Sequence, residues 1–356
     1  MKVVERVMDV TTTIEGERIG MTINVDALAH IMSILTDLYS DPQMAVIREY
    51  STNAFDAHIE AGVTRPIEIQ LPSALAPQFI VRDYGFGLDI NDIRDIYSQY
   101  GASTKRDSND VVGMLGLGCK SALTYTDQFT LSSVKNGICT TVAISRDADG
   151  SGSMTVVEET PSDEPSGTTV TVPTKRDNEF IEKADQFFRF WEEGTVLVNG
   201  ETPKRVGSGE GLWISDDLLL TPEVDQSYVV MGNVAYPFGD GPYPFGDGRL
   251  WNQWPMVAYV PIGSVQFTPS RESLQMTPLT EATLTTLRKR RKDETKPAYL
   301  RLIDECPTRA EALQMALIAG KVGLGNETLT YKGQDIPMNM AAPKDIRFWE
   351  IGRAHV

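Results

Sequence analysis

Residues 49–57 read Glu49-Tyr50-Ser51-Thr52-Asn53-Ala54-Phe55-Asp56-Ala57. They lie in a segment with helical periodicity. Pro42 suits a first helical turn, and an apolar stripe of Ile47, Tyr50, Ala54, Ala57 and Ala61 runs to Gly62. On that helix Glu49, Asn53, Asp56 and Glu60 share a second face, because positions i, i+4 and i+7 align. A merely solvated face would use Glu, Lys or Gln, yet Ser51, Thr52 and Asn53 are consecutive poor helix formers. The residue types point to chemistry instead. A carboxylate can orient and deprotonate water, and an amide oxygen one turn away is a hard ligand for Mg²⁺. Glu49 is the candidate base and Asn53 the candidate metal ligand. Asp56 joins the same polar face.

Three further motifs follow in order. Asp83-Tyr84-Gly85-Phe86-Gly87 comes directly after a strand-like run, Phe79-Ile80-Val81. A carboxylate there can accept from the amino group of adenine, which guanine replaces with a carbonyl. Gly85 and Gly87 let backbone approach the base without a Cβ in the way. Gly113-Met114-Leu115-Gly116-Leu117-Gly118 precedes a helix expected from about Cys119. Free N–H groups at a helix N-terminus suit phosphate, with Lys120 and Ser121 adding charge and a hydroxyl. It is not a Walker A loop, since Cys119 separates Gly118 from Lys120. Gly167-Thr168-Thr169-Val170 is β-prone. Each motif alone is weak, but together they supply a base, a base reader and a phosphate cradle for ATP with Mg²⁺.

This set resembles the ATPase superfamily of gyrase B subunits, ninety-kilodalton heat-shock chaperones, histidine kinases and MutL proteins, known as GHKL. The resemblance implies that Glu49 is the general base and Asn53 the magnesium ligand. It implies that Asp83 and Thr168 contact adenine, with Asp56, Gly85, Gly87, Gly113, Gly116, Leu117, Gly118 and Lys120 in the nucleotide site. Gly101-Ala-Ser-Thr-Lys-Arg resembles the ATP lid, which makes Lys105 and Arg106 candidate phosphate contacts, with plain surface charge the alternative. Gyrase and MutL place a transducer domain next, whose lysine touches the γ-phosphate, and Arg271 is the candidate for that role here. The phrases FTPSRES (267–273) and YGASTKR (100–106) are similar to bacteriophage rIIA-type proteins, associated with membranes and lysis control. ATP-driven homodimerisation, through an arm like residues 1–24, is a further implication. So is a second phage or membrane-associated partner. A histidine kinase is disfavoured, because His30 is followed by Ile-Met-Ser with no acidic neighbour. The alternatives to a slow ATPase switch are the ATPase subunit of a DNA-acting machine, topoisomerase or MutL-like, and a non-hydrolysing nucleotide-binding scaffold.

The chain has 356 residues, enough for two domains. The expected architecture is α+β, a two-layer sandwich of helices on a mixed sheet (the Bergerat type). A second, transducer-like α+β domain follows. The expected boundaries are an arm over 1–24, the ATPase domain over 25–172, the transducer-like domain over 173–305 and the start of a further region over 306–356. Helices are expected over 26–39, 42–62, 89–99, 177–191 and 278–303. Strands are expected near 67–71, 79–81, 128–134, 138–145, 167–172, 195–198, 228–231, 256–260 and 265–267. A duplication, Tyr236-Pro-Phe-Gly-Asp-Gly-Pro then Tyr243-Pro-Phe-Gly-Asp-Gly, reads as an enlarged loop. The tail Glu350-Ile351-Gly352-Arg353-Ala354-His355-Val356 matches a translated sequencing adapter, so the natural frame is expected to continue beyond about Trp349.

Composition narrows the partners. Net charge is −16, which repels phosphate backbones at long range and leaves nucleic-acid contact open only through a local patch such as 288–292. That run, Arg288-Lys289-Arg290-Arg291-Lys292, reads first as a solvated helix face. Three cysteines without metal spacing and no apolar leader indicate reduced thiols and a cytoplasmic chain, at most peripheral to a membrane. No apolar run approaches the ~20 residues of a transmembrane segment.

Overall fold

The computed structural model describes residues 39–97, 118–147, 152–175, 179–239 and 253–336. The arm 1–24, the 26–39 helix, the lid, the second copy of the duplication and the tail lie outside them. The chain divides into two units at Pro203/Lys204.

The first unit is built on helix α1 (Pro42–Ala61). Asp41 caps it, its side chain accepting from Met44 N at 3.0 Å, and Gly62 ends it with φ +67. Beneath lies a seven-stranded mixed sheet. Its strands are β1 (Ile67–Gln70), β2 (Gln78–Arg82), β3 (Gln128–Lys135), β4 (Ile138–Arg146), β5 (Gly152–Pro161), β6 (Gly167–Pro173) and β7 (Val196–Val198). The order is β5-β4-β3-β6-β2-β1-β7. Only the β1–β7 pair is parallel. Helix α2 (Ile90–Tyr97) follows the Asp83 loop, with Asp89 and Asp92 capping each other's backbone and Lys135 paired to both. Helix α3 (Glu179–Phe188) packs on α1.

Large rings lock this helical layer to the sheet. Tyr50 meets Phe129 of β3, and Phe180 of α3 meets both Phe79 of β2 and Tyr125. Phe55 meets Trp191, which packs on Phe187 and Phe188. Lys183 of α3 donates to Asp41 and Gln43 at 2.7 and 2.6 Å, pinning the start of α1.

Two expectations change here. Strand β7 bonds to β1, and α3 covers the sheet, so the first unit extends beyond the expected residue 172 to Pro203. Pro173 ends β6 but does not end the domain. Strand β5 was not foreseen, because it is an edge strand exposed along nearly its whole length and has no apolar alternation.

The second unit holds a five-stranded mixed sheet. It comprises β8 (Leu212–Ser215), β9 (Leu218–Leu220), β10 (Tyr228–Met231), β11 (Val234–Pro237) and β12 (Met256–Val260), in the order β11-β10-β12-β9-β8. The hairpin β13 (Gln266–Phe267) and β14 (Leu274–Gln275) leads into the long helix α4 (Pro278–Glu305). Residues 306–336 do not form a separate region. Helix α5 (Arg309–Ile318) and the hairpin β15 (Leu329–Tyr331)–β16 (Gln334–Ile336) pack on α4. Tyr299 donates to Met315 O, and Tyr331 donates to Cys306 O at 3.0 Å.

The basic run on α4 is only partly solvated. Arg290 grips Asp217 of the β8–β9 turn through two bonds of 2.7 and 2.9 Å, and Arg291 donates to Trp254 O at 2.9 Å. Arg288, Lys289 and Lys292 remain exposed.

Candidate active site

Helix α1 is covered by β1, β2, α3 and a short 3-10 helix, Gly118–Thr124. Both of its faces are therefore buried, not only the apolar stripe. Glu49 is 3% exposed and Asp56 is 0% exposed. The small residues between them now have a packing reason. Ser51 and Thr52 are buried, and Thr52 Oγ1 returns its proton to Arg48 O at 2.8 Å. Glu60 faces solvent and takes no part.

The Glu49 carboxylate is held from two sides. Arg48 Nε pairs with Oε1 at 3.3 Å, both side chains being buried. A Cβ placed on Gly118 would lie 2.3 Å from Oε2, so the first and third motifs meet at this carboxylate. Arg48 was missed in the sequence, where an arginine beside a glutamate on a helix reads as surface. Asn53 is half-exposed, and its amide makes no hydrogen bond to the described residues. That is the state expected of an amide left to a metal–phosphate complex. The chemistry of the donor set fits Mg²⁺, which needs few protein ligands when phosphates and waters supply the rest. Among the described residues no cluster of three or more His, Cys, Asp or Glu could hold a metal by itself.

The Asp83 loop crosses the middle of the sheet. Asp83 is buried, and its Oδ1 accepts from Gly85 N at 2.9 Å and Thr168 N at 3.2 Å. Asp83 N in turn donates to Thr168 O at 2.9 Å, so the second and fourth motifs form one unit. Ser133 of β3 tightens it: its hydroxyl accepts from Leu88 N at 2.8 Å and meets Gly167 O and Thr168 Oγ1. The glycines have a cause inside the fold. A Cβ on Gly85 would lie 3.0 Å from Ala57 O of α1, and one on Gly87 2.0 Å from Val134 O. Backbone meets backbone at both positions, a requirement separate from any approach of a base.

The phosphate end differs from expectation. The segment from Gly118 to Thr124 is a seven-residue 3-10 helix, not an α-helix, so its dipole is small. Tyr50 OH accepts from Ala122 N at 3.2 Å and ties this turn to α1. Lys120 is buried. Among the described residues the hydroxyls of Ser121 and Ser51 are buried with no hydrogen-bond partner. Gly113, Gly116, Leu117 and Lys105 lie outside the described residues. Arg271 belongs to the second unit, in the β13–β14 turn that holds most of FTPSRES. It is buried with φ +56, its N donates to Thr268 O, and its guanidinium lies 5.6 Å from the Phe267 ring.

No protein-family model matches the sequence, and no curated protein matches it. Solved structures do match by shape. The crystal structure of the ATPase region of Saccharomyces cerevisiae topoisomerase II aligns with TM-score 0.50 and 13% identity, over 73% of this chain and 85% of that one. The fold is similar to an ATPase region. The same region bound to ICRF-187 (dexrazoxane) aligns equally well. The likeness establishes the mixed α+β fold, with helices on a mixed sheet. Among the described residues no helix is long and apolar enough to cross a membrane.

Proposed function

We propose that this chain binds ATP with Mg²⁺ and hydrolyses it slowly in the manner of GHKL ATPases, acting as a nucleotide-driven switch of association. The observation that carries the reading is the Asp83 carboxylate. Two backbone N–H groups fix its Oδ1, in a sheet whose covering helix carries Glu49 and Asn53. With Oδ1 so oriented, Oδ2 accepts the adenine amino group and Thr168 lines the same base. Asn53 would hold Mg²⁺, which when bound supplies charge neutralisation at the phosphate oxygens. Glu49 orients the attacking water and takes its proton. Arg48 holds Oε1 and so fixes the orientation of the carboxylate. Lys120 and Gly118 are the candidate phosphate contacts next to it.

Calorimetric titration with ATP and a non-hydrolysable analogue, with and without Mg²⁺, tests the reading. Binding of ATP with strong preference over GTP is expected. No binding at millimolar nucleotide would reject it. Dimerisation on ATP is carried over from gyrase and MutL. It is tested by light scattering with the analogue against ADP, where equal mass in both states would remove the switch. The fold likeness to a topoisomerase ATPase region favours a second reading, the ATPase subunit of a DNA-acting machine. The phage lysis-control reading rests on the FTPSRES and YGASTKR phrases, and the full reading frame with its neighbouring genes separates the two.

A further inference from the structure

His58 is a buried side chain that the chemistry above does not use. It lies one residue past the Asp56-Ala57 pair on α1 and is 3% exposed. Its Nε2 accepts from the backbone N–H of Tyr84 at 2.7 Å. Nε2 is thus unprotonated, and the ring's hydrogen bond to the Arg65 backbone falls to Nδ1–H. One neutral imidazole therefore joins three pieces: α1, the turn before β1, and the residue between Asp83 and Gly85. Gly85 packs directly on Ala57, one residue back on the same helix, so the tether acts where the loop is already in close contact.

The charged and titratable groups facing this point come from every neighbouring element. Arg65 lies over the Tyr84 ring at 3.3 Å and donates to Glu68 of β1 at 2.9 Å, and Arg82 of β2 lies 5.1 Å from the same ring. Tyr84 itself has a phenol pushed upward, by burial first and by Glu68 second. A second proton on His58 would aim an N–H at the Tyr84 N–H, beside the Arg65 cation. Burial, with the Arg65 charge adding to it, holds the imidazole below its ordinary 6.5, and the bond to the Arg65 backbone opposes this. The neutral form is thus the working form at neutral pH.

We propose that His58 is a positioning residue for nucleotide binding, holding the Asp83 loop against α1 only while neutral, so that acid releases the base-reading carboxylate. This rests on the assignment of Asp83 to adenine. The sign follows from the lowered folded value. The tether is complete above about pH 6.5 and is lost as pH falls through the folded pKa, with affinity declining by up to about tenfold per pH unit below it.

The test measures binding of a non-hydrolysable ATP analogue with Mg²⁺ from pH 5.5 to 8 for the full chain, His58→Gln and His58→Ala. The γ-phosphate titrates equally in all three, so only differences between them are read. Gln keeps an acceptor of similar reach and cannot be protonated. It should bind as the wild type does at pH 8 and be flatter in acid. Ala should bind at least about tenfold more weakly than His58→Gln at every pH, and the wild type should approach Ala in acid. Coincident pH profiles of wild type and His58→Gln would overturn the proposal. If no variant binds nucleotide, the ATP reading fails, and hydrogen exchange at the Tyr84 amide still decides the tether. Protection in wild type and His58→Gln but not in His58→Ala supports it, and equal protection in all three overturns it.

Discussion

Gly62 and Gly87 form a matched pair for testing how the Asp83 loop is seated. Their φ angles are +67 and +70, so alanine meets nearly the same backbone penalty at each, about 1–2 kcal/mol. Alanine also restricts the unfolded chain equally at both, returning about 0.4–1 kcal/mol. The surroundings differ. Nothing lies within 4 Å of a Cβ on Gly62, whereas one on Gly87 falls 2.0 Å from Val134 O and 2.8 Å from its carbonyl carbon. That is roughly 1.5 Å short of a normal contact. The loop must lift from β3, straining the 2.8 Å bond from Leu88 N to Ser133 Oγ. Overpacking costs about 1–3 kcal/mol and a lost buried hydrogen bond about 1–3 more. Gly62→Ala should therefore lose at most about 1.5 kcal/mol in urea unfolding, and Gly87→Ala about 3–6 kcal/mol. Gly87→Ala should also weaken ATP binding under conditions where it remains folded. Losses equal within about 0.5 kcal/mol would refute the contact-based reasoning.

Glu49→Gln should lower ATP turnover by about 10²–10⁴ while nucleotide still binds in calorimetry. Near-native turnover would remove Glu49 as the base. Asp83→Asn keeps an acceptor for Gly85 N and Thr168 N, so thermal unfolding should change little, yet ATP affinity should fall as the amide N–H₂ opposes the adenine amino group. Ser133→Ala removes the shared hydroxyl between Leu88, Gly167 and Thr168 and should cost about 1–3 kcal/mol in denaturant unfolding. In the second unit, the Arg290 hydrogen bonds pull the Asp217 carboxyl down to about 2 from an ordinary 3.8. Its contribution is full above about pH 4 and is lost as pH falls towards 2. Arg290→Met should therefore be less stable than wild type at pH 7, by about 1 kcal/mol after solvent screening, with the gap closing between pH 4 and pH 2. A gap that stays constant with pH would show that Arg290 acts by packing alone.

The sequence by itself determined the parts whose signal is local. The α1 boundaries follow from Pro42 and Gly62, and the α+β class from helical periods followed by strand-like runs, while four short motifs name the candidate site residues. Local pattern could not assign β5, because an exposed edge strand has no buried face to impose alternation. It could not assign β7 and α3 to the first unit either, because the pairing that recruits them joins residues far apart in the chain. The environment of the site was likewise a tertiary outcome. Glu49 and Asp56 read as one polar helix face, and only the cover of β1, β2, α3 and the 3-10 helix makes that face buried. The glycines of the Asp83 loop were legible as necessary, but their close contact with Ala57 and Val134 was not. Arg48 and His58 carry no motif. Only folding buries the Arg48–Glu49 pair and brings the Tyr84 N–H to His58.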